Sequence, residues 1–326
     1  MPQVIPIELP TGYPGEGNVI IYVVKTSRQT VLIDTSTFYQ NNSELLKIAL
    51  DKAGVDHLDK VLLTHCHGDH SGNAKTVKGW FPDAEVMIHH LGAQRLRQGN
   101  WFDKMKDQRS RFFTNFGYPS TDPESFFRFR TSGEKPQTLA MNPDTEIHED
   151  ARLDDFEIFV TPGHSLDHVC YGVEDHIFCG DTVLEFVPGM EDIWLGHSRT
   201  FIDYLESCKK LEQLSDRFPH VHAFHGNSIP SLKQWYHQII APRIHQKYLK
   251  LVSVLSPDQP QTLCEMMQIL HPKLPRHYIY ITQYMGLLIL LEQEGLVSRT
   301  ENETGFWYFL QTQPMNPDFL RDYMQT

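Results

Sequence analysis

The residues best equipped for chemistry lie in one hexapeptide. His65-Cys66-His67-Gly68-Asp69-His70 places three imidazoles and a carboxylate at positions i, i+2, i+4 and i+5. Nitrogen and oxygen donors at this density suit a borderline divalent cation such as zinc. In an extended segment, side chains at i, i+2 and i+4 face the same way, so His65, His67 and Asp69 can share one cavity. His70 joins them only if the chain turns, and Gly68 makes that turn easy. Cys66, between two candidate ligands, should point to the opposite side and be structural.

The elements on either side of the hexapeptide must aim it. Val61-Leu62-Leu63 is a short apolar run that reads as a buried strand, and Ser71-Gly72-Asn73 reads as a turn into a helix. The cluster therefore sits at the carboxyl end of a strand, where α/β sheets place their sites. Residues 18–90 read as strand, strand, helix, strand, metal loop, helix, strand. Val19–Val24 and Thr30–Asp34 form a strand pair around a polar turn. Ser43–Ala53 is a helix with Leu45, Leu46, Ala49 and Leu50 on one face, and Glu85–Ile88 is a further strand.

The hexapeptide resembles the HxHxDH motif of the metallo-β-lactamase superfamily of dinuclear metal hydrolases. Further motifs follow in the family's order. Thr161-Pro162-Gly163-His164-Ser165 is similar to its second histidine loop. Phe178-Cys179-Gly180-Asp181-Thr182 is similar to its strand ending in Gly-Asp, and Ala223-Phe224-His225-Gly226 to the strand end before its last ligand. Val31-Leu32-Ile33-Asp34-Thr35 resembles an early strand whose aspartate supports the metal loop. The match runs over roughly residues 18–230. It implies one metal on His65, His67 and His164, a second on Asp69, His70 and His225, and Asp181 bridging them. It also implies that His168, in the doubled-histidine loop, orients ligands. A lone histidine among the chain's 18, such as His57 or His148, reads instead as surface or structural.

The resemblance implies an αββα metallo-β-lactamase sandwich, an α/β fold, over residues 1–230. The stretch between His70 and His164 exceeds the plain family layout. Residues from about 92 to 140 carry the excess, with Trp101, Phe102, Met105, Arg111, Phe112, Phe113, Phe116, Tyr118, Phe126 and Phe127 among them. They read as a helical insertion covering the site, most of its aromatics forming a core and a few lining an apolar pocket. Beyond it, Phe156–Val160, Val169–Val173, His176–Cys179 and Val221–Phe224 are strands, and Asp203–Phe218 is an amphipathic helix.

Residues 231–326 exceed the core fold. A helix over Ser231–Leu255, kinked or broken at Pro242, is followed by helices over Thr262–Leu270 and Ile279–Glu294. Leu296–Arg299 and Phe306–Leu310 form a hairpin. Helices followed by a β-wing resemble the winged-helix appendage of one branch of the superfamily, a C-terminal α+β winged-helix-like domain. Ile279–Glu294 holds no Lys or Arg, so it reads as a buried helix packing on the hydrolase domain or in a homodimer, and not as a groove reader.

Composition agrees with a globular enzyme. The chain is 326 residues long and 40% hydrophobic. No stretch has the length and apolarity of a membrane span, and the first residues lack the features of a secretory signal. Five scattered cysteines without a CxxC argue against a disulfide framework, so a cytoplasmic location is expected. The net charge of −12 disfavours a nucleic-acid surface.

The resemblance further implies two divalent metals, most readily zinc with iron or manganese as alternatives, a bridging hydroxide as nucleophile, and Asp69 as both ligand and proton acceptor. Histidine at position 67 favours hydrolysis over redox chemistry. The expected substrate is a small acyl compound, a thioester or lactone. RNA or phosphodiester cleavage is the alternative, and a metal-containing regulatory protein with vestigial activity is a third reading.

Overall fold

The computed structural model describes residues 1–11, 17–38, 41–99, 106–118, 140–226, 228–273, 277–303, 305–311 and 316–325. Its first sheet holds β1 (Gln3–Pro10), β2 (Asn18–Lys25), β3 (Thr30–Ile33), β4 (Lys60–Leu62), β5 (Glu85–His89) and β6 (Thr145–Ile147), in that spatial order. β1, β2 and β3 pair antiparallel, and β3 to β6 run parallel. Sequence periodicity overlooks β1 because Pro6 and Pro10 interrupt it. β1 is the sheet's edge, where a missing N–H is tolerated.

The second sheet is ordered β11 (His220–His222), β10 (His176–Phe178), β9 (Val169–Val173), β8 (Phe156–Val160), β7 (Ala151–Leu153). Only β10 and β11 are parallel in it. Because side chains alternate along a strand, each sheet buries two faces. Tyr22, Val24, Val31 and Ile33 meet Phe156, Ile158, Tyr171 and Phe178 between the sheets. Their neighbours Val19, Ile21, Val23 and Leu32 turn outward to Leu46 and Leu50 of α1 (Asn42–Lys52), beside the short α2 (Gly68–Ser71), and to Val77 of α3 (Ala74–Trp80) and Ala93 and Leu96 of α4 (His90–Gln98). On the outer face of the second sheet, Phe159, Cys170 and Ile177 pack with Phe201, Leu205 and Cys208 of a long helix, Thr200–Gln213. The result is the expected αββα sandwich.

α4 lies within the span expected to be insertion, yet Ala93 and Leu96 belong to the sandwich's own core. Beyond it, α5 (Lys106–Asn115) carries Phe112 and Phe113, and the turn after it carries Phe116 and Tyr118. Phe113, Phe116 and Tyr118 are buried, but in a core shared with the C-terminal residues. Phe116 meets Phe306 edge-on at 5.5 Å between ring centroids, and its carbonyl accepts from the Cys264 amide at 3.1 Å. Trp101, Phe102, Met105, Phe126 and Phe127 lie outside the described residues.

The helix Thr200–Gln213 is α6. After it, Leu232–Gln234 is α-helical, Trp235–Ile240 is π-helical, and α7 spans Ala241–Val252 with Pro242 in its first turn. Pro242 therefore does not end the helix. It has no N–H for the carbonyl four residues back and its ring would strike that carbonyl; the wider π turn before it gives the ring room. α8 (Leu263–Leu270) starts at a Thr262–Glu265 capping box, worth about 1 kcal/mol. α9 (Tyr278–Gln293) buries Ile281, Tyr284, Met285, Leu287, Leu288, Leu290 and Leu291, so it is apolar nearly all round and lies in the core. β12 (Val297–Asn302) and β13 (Gly305–Leu310) form an antiparallel hairpin, and α10 is Phe319–Gln325. Among the described residues, no helix is long and apolar enough to cross a membrane.

Candidate metal centre

Five strands end on the site. The loop after β4 carries His65 to His70, and those after β8, β10 and β11 carry His164, Asp181 and His225. Asp34 follows β3 directly. The backbone at His67 is extended (φ −62°, ψ 149°), and α2 begins at Gly68. This is the turn that His70 required: extended chain through His67 and helix after it bring all four side chains of the hexapeptide into one cavity. Gly180 sits at φ 48°, and a Cβ there would lie 2.4 Å from His168 Nε2. Only glycine allows that approach in that conformation, and it aims the next residue, Asp181.

The potential ligands fall into two groups. In the first, His65 Nε2 lies 2.9 Å and His164 Nε2 3.0 Å from His67 Nδ1. In the second, His225 Nε2 lies 3.3 Å from both His70 Nε2 and Asp69 Oδ2, and His70 Nε2 lies 3.7 Å from Asp69 Oδ2. Asp181 stands between them. Its Oδ2 is 3.5 Å from His164 Nε2, while its Oδ1 is 3.2 Å from His70 Nε2 and 3.5 Å from His225 Nε2. The structure thus brings together all seven residues His65, His67, Asp69, His70, His164, Asp181 and His225. His57 and His148 lie apart from them: His57 is exposed and pairs with Asp59 at 3.0 Å, and His148 stacks on His90.

This donor set fits two cations. Two Nε2 atoms face the one Nδ1 of His67, and a single proton on it cannot serve both. Asp181 Oδ1 is buried and accepts no hydrogen bond, a costly state for a carboxylate oxygen. Cations among these atoms would satisfy the lone pairs together.

The other nitrogen of four histidines is held from behind. His70 Nδ1 donates to Asp34 Oδ2 at 2.7 Å, His164 Nδ1 to the Gly189 carbonyl at 2.8 Å, and His225 Nδ1 to the Asn18 carbonyl at 3.0 Å. His65 Nδ1 lies 3.1 Å from Thr64 Oγ1, which itself donates to Asp34 Oδ2 at 2.7 Å. Such partners fix the tautomer that leaves the inward nitrogen free to bind a cation. His168 accepts the Asp181 amide on Nε2 at 3.1 Å, so it holds the backbone of Asp181 in place.

Charge is divided unevenly between the groups. Burial would raise the Asp181 carboxyl, but the imidazoles of His70 and His225 outweigh it and hold the group well below the usual carboxylate range. Burial opposes charge on His225, yet Asp181 and Asp69 raise it to about 9. His70 is likewise raised, against burial, by Asp181, Asp69 and Asp34. Burial and then His70 and His67 drive His65 far down, keeping it neutral.

Beneath the hexapeptide, Cys66 points away from the cavity. Its thiol lies 3.7 Å from Asp167 Oδ1 and 3.6 Å from the Arg95 guanidinium, and burial pushes it up, out of the thiolate range. Asp167 Oδ2 accepts the Cys66 amide at 2.8 Å, and Arg95 joins Asp167 to Asp192. This charged network ties the His65 and His164 loops together. A second brace comes from α9. Thr282 Oγ1 accepts the Met190 amide at 3.1 Å, and Gln283 Nε2 donates to the Pro188 carbonyl at 3.0 Å. Sequence inspection overlooks Arg95, Asp192, Thr282 and Gln283, because each is a single polar residue outside any motif. Thr64 and Asp167 stand next to His65 and His168 in the ligand loops, and that adjacency was their one usable signal.

The model of the metallo-beta-lactamase superfamily matches residues 14–218. An "Atrochrysone carboxyl ACP thioesterase" from Passalora fulva is 27% identical over 65% of this chain and 49% of its own length, so the chain spans about half of that relative. "Probable metallo-hydrolase YqjP" from Bacillus subtilis is 26% identical over 94% of this chain and 97% of its own. Among solved structures, the metallo-beta-lactamase family protein TTHA1429 from Thermus thermophilus superposes with a TM-score of 0.72 at 21% identity, covering 94% of this chain and 98% of that one. That likeness is one of fold.

Proposed function

The chain belongs to the metallo-beta-lactamase superfamily and is a metal-dependent hydrolase, and from that premise we propose that it cleaves a small thioester or lactone at a dinuclear centre. The observation that carries the reading is the Asp181 carboxylate, whose two oxygens turn toward two separate ligand groups. The Passalora fulva relative, named a thioesterase, supports the acyl substrate over the length it shares with this chain.

In this reading His65, His67 and His164 hold one metal and Asp69, His70 and His225 the other. Zinc is the metal we propose, since imidazole and carboxylate donors suit it, with iron or manganese as alternatives. When bound, the pair would supply Lewis acidity toward a carbonyl oxygen and a water of lowered pKa. The protein does the rest. Asp34, Thr64 and the carbonyls of Gly189 and Asn18 hold the imidazoles in register. Asp69, whose Oδ2 borders the second group, takes the proton of the attacking water. Burial of His65, His70 and His164 keeps bulk water from competing.

We read residues 1–230 as the hydrolytic domain and residues 231–326 as a winged-helix-like appendage that braces it. α9 contains no Lys or Arg and is buried, so nothing on it favours the nucleic-acid reading.

The test is a parallel assay of zinc-loaded protein on a thioester, a lactone and a phosphodiester. Thioester or lactone turnover, abolished by chelation, is the expected result. Turnover of the phosphodiester alone would overturn the substrate class. No bound metal and no turnover in a folded protein would overturn the catalytic reading and favour the regulatory one.

A further inference from the structure

The strands β10 and β11 carry Asp181 and His225 beyond their carboxyl ends. Their opposite ends hold a second set of metal-type donors. His176 and His220 are the first residues of β10 and β11 and are register partners in the parallel pair. Their rings stack at 4.6 Å. Asp175, in the turn before β10, lies 3.5 Å from the Nε2 of each: Oδ1 toward His176 and Oδ2 toward His220. One donor atom from each of the three falls within 4.8 Å of the others.

Two features set this cluster apart from a chance meeting of surface residues. Asp175 Oδ1 is buried and accepts no hydrogen bond, so a carboxylate oxygen in the middle of the cluster is unsatisfied. His176 is also oriented from behind. Its Nδ1 lies 2.9 Å from Nε2 of His222, on the neighbouring strand β11. An imidazole whose Nδ1–H is engaged in this way presents the lone pair of Nε2 outward, the arrangement found behind metal-binding histidines.

We propose that Asp175, His176 and His220 form a peripheral site for a borderline divalent cation, zinc being the probe of choice, at the end of the sandwich away from the dinuclear centre. Two imidazoles and a carboxylate are a sufficient protein ligand set for zinc, with water completing it. The side chains of His176, Asp175 and His220 are 15%, 39% and 55% exposed, which leaves one face open to that water. His220, the most exposed, has room to tilt its Nε2 toward the other two donors. A cation there would clamp the starts of the two strands whose far ends carry Asp181 and His225.

The test compares zinc content at saturating buffered zinc for the full-length wild type, His220→Ala and Asp175→Asn. The count is a difference between variants of one chain, so it is independent of whether the dinuclear reading holds. One zinc fewer per chain in both variants, or binding weakened by about tenfold or more at that site, is the expected result. Full zinc content and unaltered affinity in either variant would overturn the site. His220 is mostly exposed, so its replacement leaves the fold intact, which the far-ultraviolet circular dichroism of the same samples checks.

Discussion

Gln283 donates its side-chain amide to the Pro188 carbonyl at 3.0 Å, and one residue further on Gly189 offers its own carbonyl to His164 at 2.8 Å. A glutamine of the C-terminal helix α9 thus stands behind a ligand of the first metal group, with Thr282 securing Met190 beside it. Gln283→Leu should keep α9 packed but release that segment. Zinc affinity at the first group should fall by about 10- to 100-fold, the usual effect of losing an outer partner. Competition with a chromogenic chelator measures it. An unchanged affinity would reduce the brace to a packing contact.

Asp34 supports both groups at once, through His70 directly and through Thr64 to His65. It does so at φ 60° and wholly buried, a strained state for a residue with a Cβ. Asparagine tolerates that backbone region, so Asp34→Asn removes charge without adding strain. We expect metal affinity to drop by about 10- to 100-fold with little change in secondary structure. Asp34→Ala should lose stability as well. Equal melting temperatures for the two variants would contradict the role of backbone strain.

Asp181→Ala removes the one carboxylate shared by both groups. Activity should fall by more than about 100-fold, beyond the loss of any outer partner, and elemental analysis should find less metal per chain. Full activity with unchanged metal content would sink the bridging assignment.

The metal-stripped protein should respond to pH through His225. Its pKa is raised from 6.5 to about 9 in the fold, so its protonated form is favoured by folding beside Asp181 and Asp69. That stabilisation is fully present below about pH 6.5 and is lost as pH rises through about 9. A metal ligand must be unprotonated, so cation uptake must displace this proton and metal affinity should rise over the same range. Thermal melts of stripped and loaded protein from pH 6 to pH 9 check both. A stripped protein that gains stability with rising pH in that window would contradict the assignment.

Phe116 lies 1% exposed between α5 and the C-terminal hairpin, against Phe306 and Tyr308. Phe116→Ala should cost about 3–5 kcal/mol of stability and leave zinc content unaltered at low temperature. Calorimetry and elemental analysis on one sample would separate the two effects. Loss of metal together with stability would place this residue closer to the site than its packing indicates.

Much of this molecule can be read from spacing. The unbroken apolar run Val19–Val24 announces a buried strand, and the hexapeptide announces a metal site, because ligand atoms close in sequence are close in space whatever the fold. Arg95 and Gln283 announce nothing. Each is one polar residue whose partners lie far along the chain, at Asp167 and Asp192 for Arg95 and at Pro188 for Gln283. Most of the aromatics around Phe113, Phe116 and Tyr118 read as an insertion's own core and a few as pocket lining, with nothing local to say which. Their burial with C-terminal residues depends on contacts that no local pattern encodes.

The sequence by itself determined which atoms could bind a metal: four motifs in order supply five histidines and two aspartates, since donor chemistry belongs to the side chain. Only the tertiary structure decided how those atoms are shared. It turned the chain at Gly68 so that His70 faces inward, set the two oxygens of Asp181 toward different groups, and placed α9 behind His164. Those are matters of distance between residues as far apart as His70 and His225, and distances of that kind exist only once the two sheets have closed on their common core.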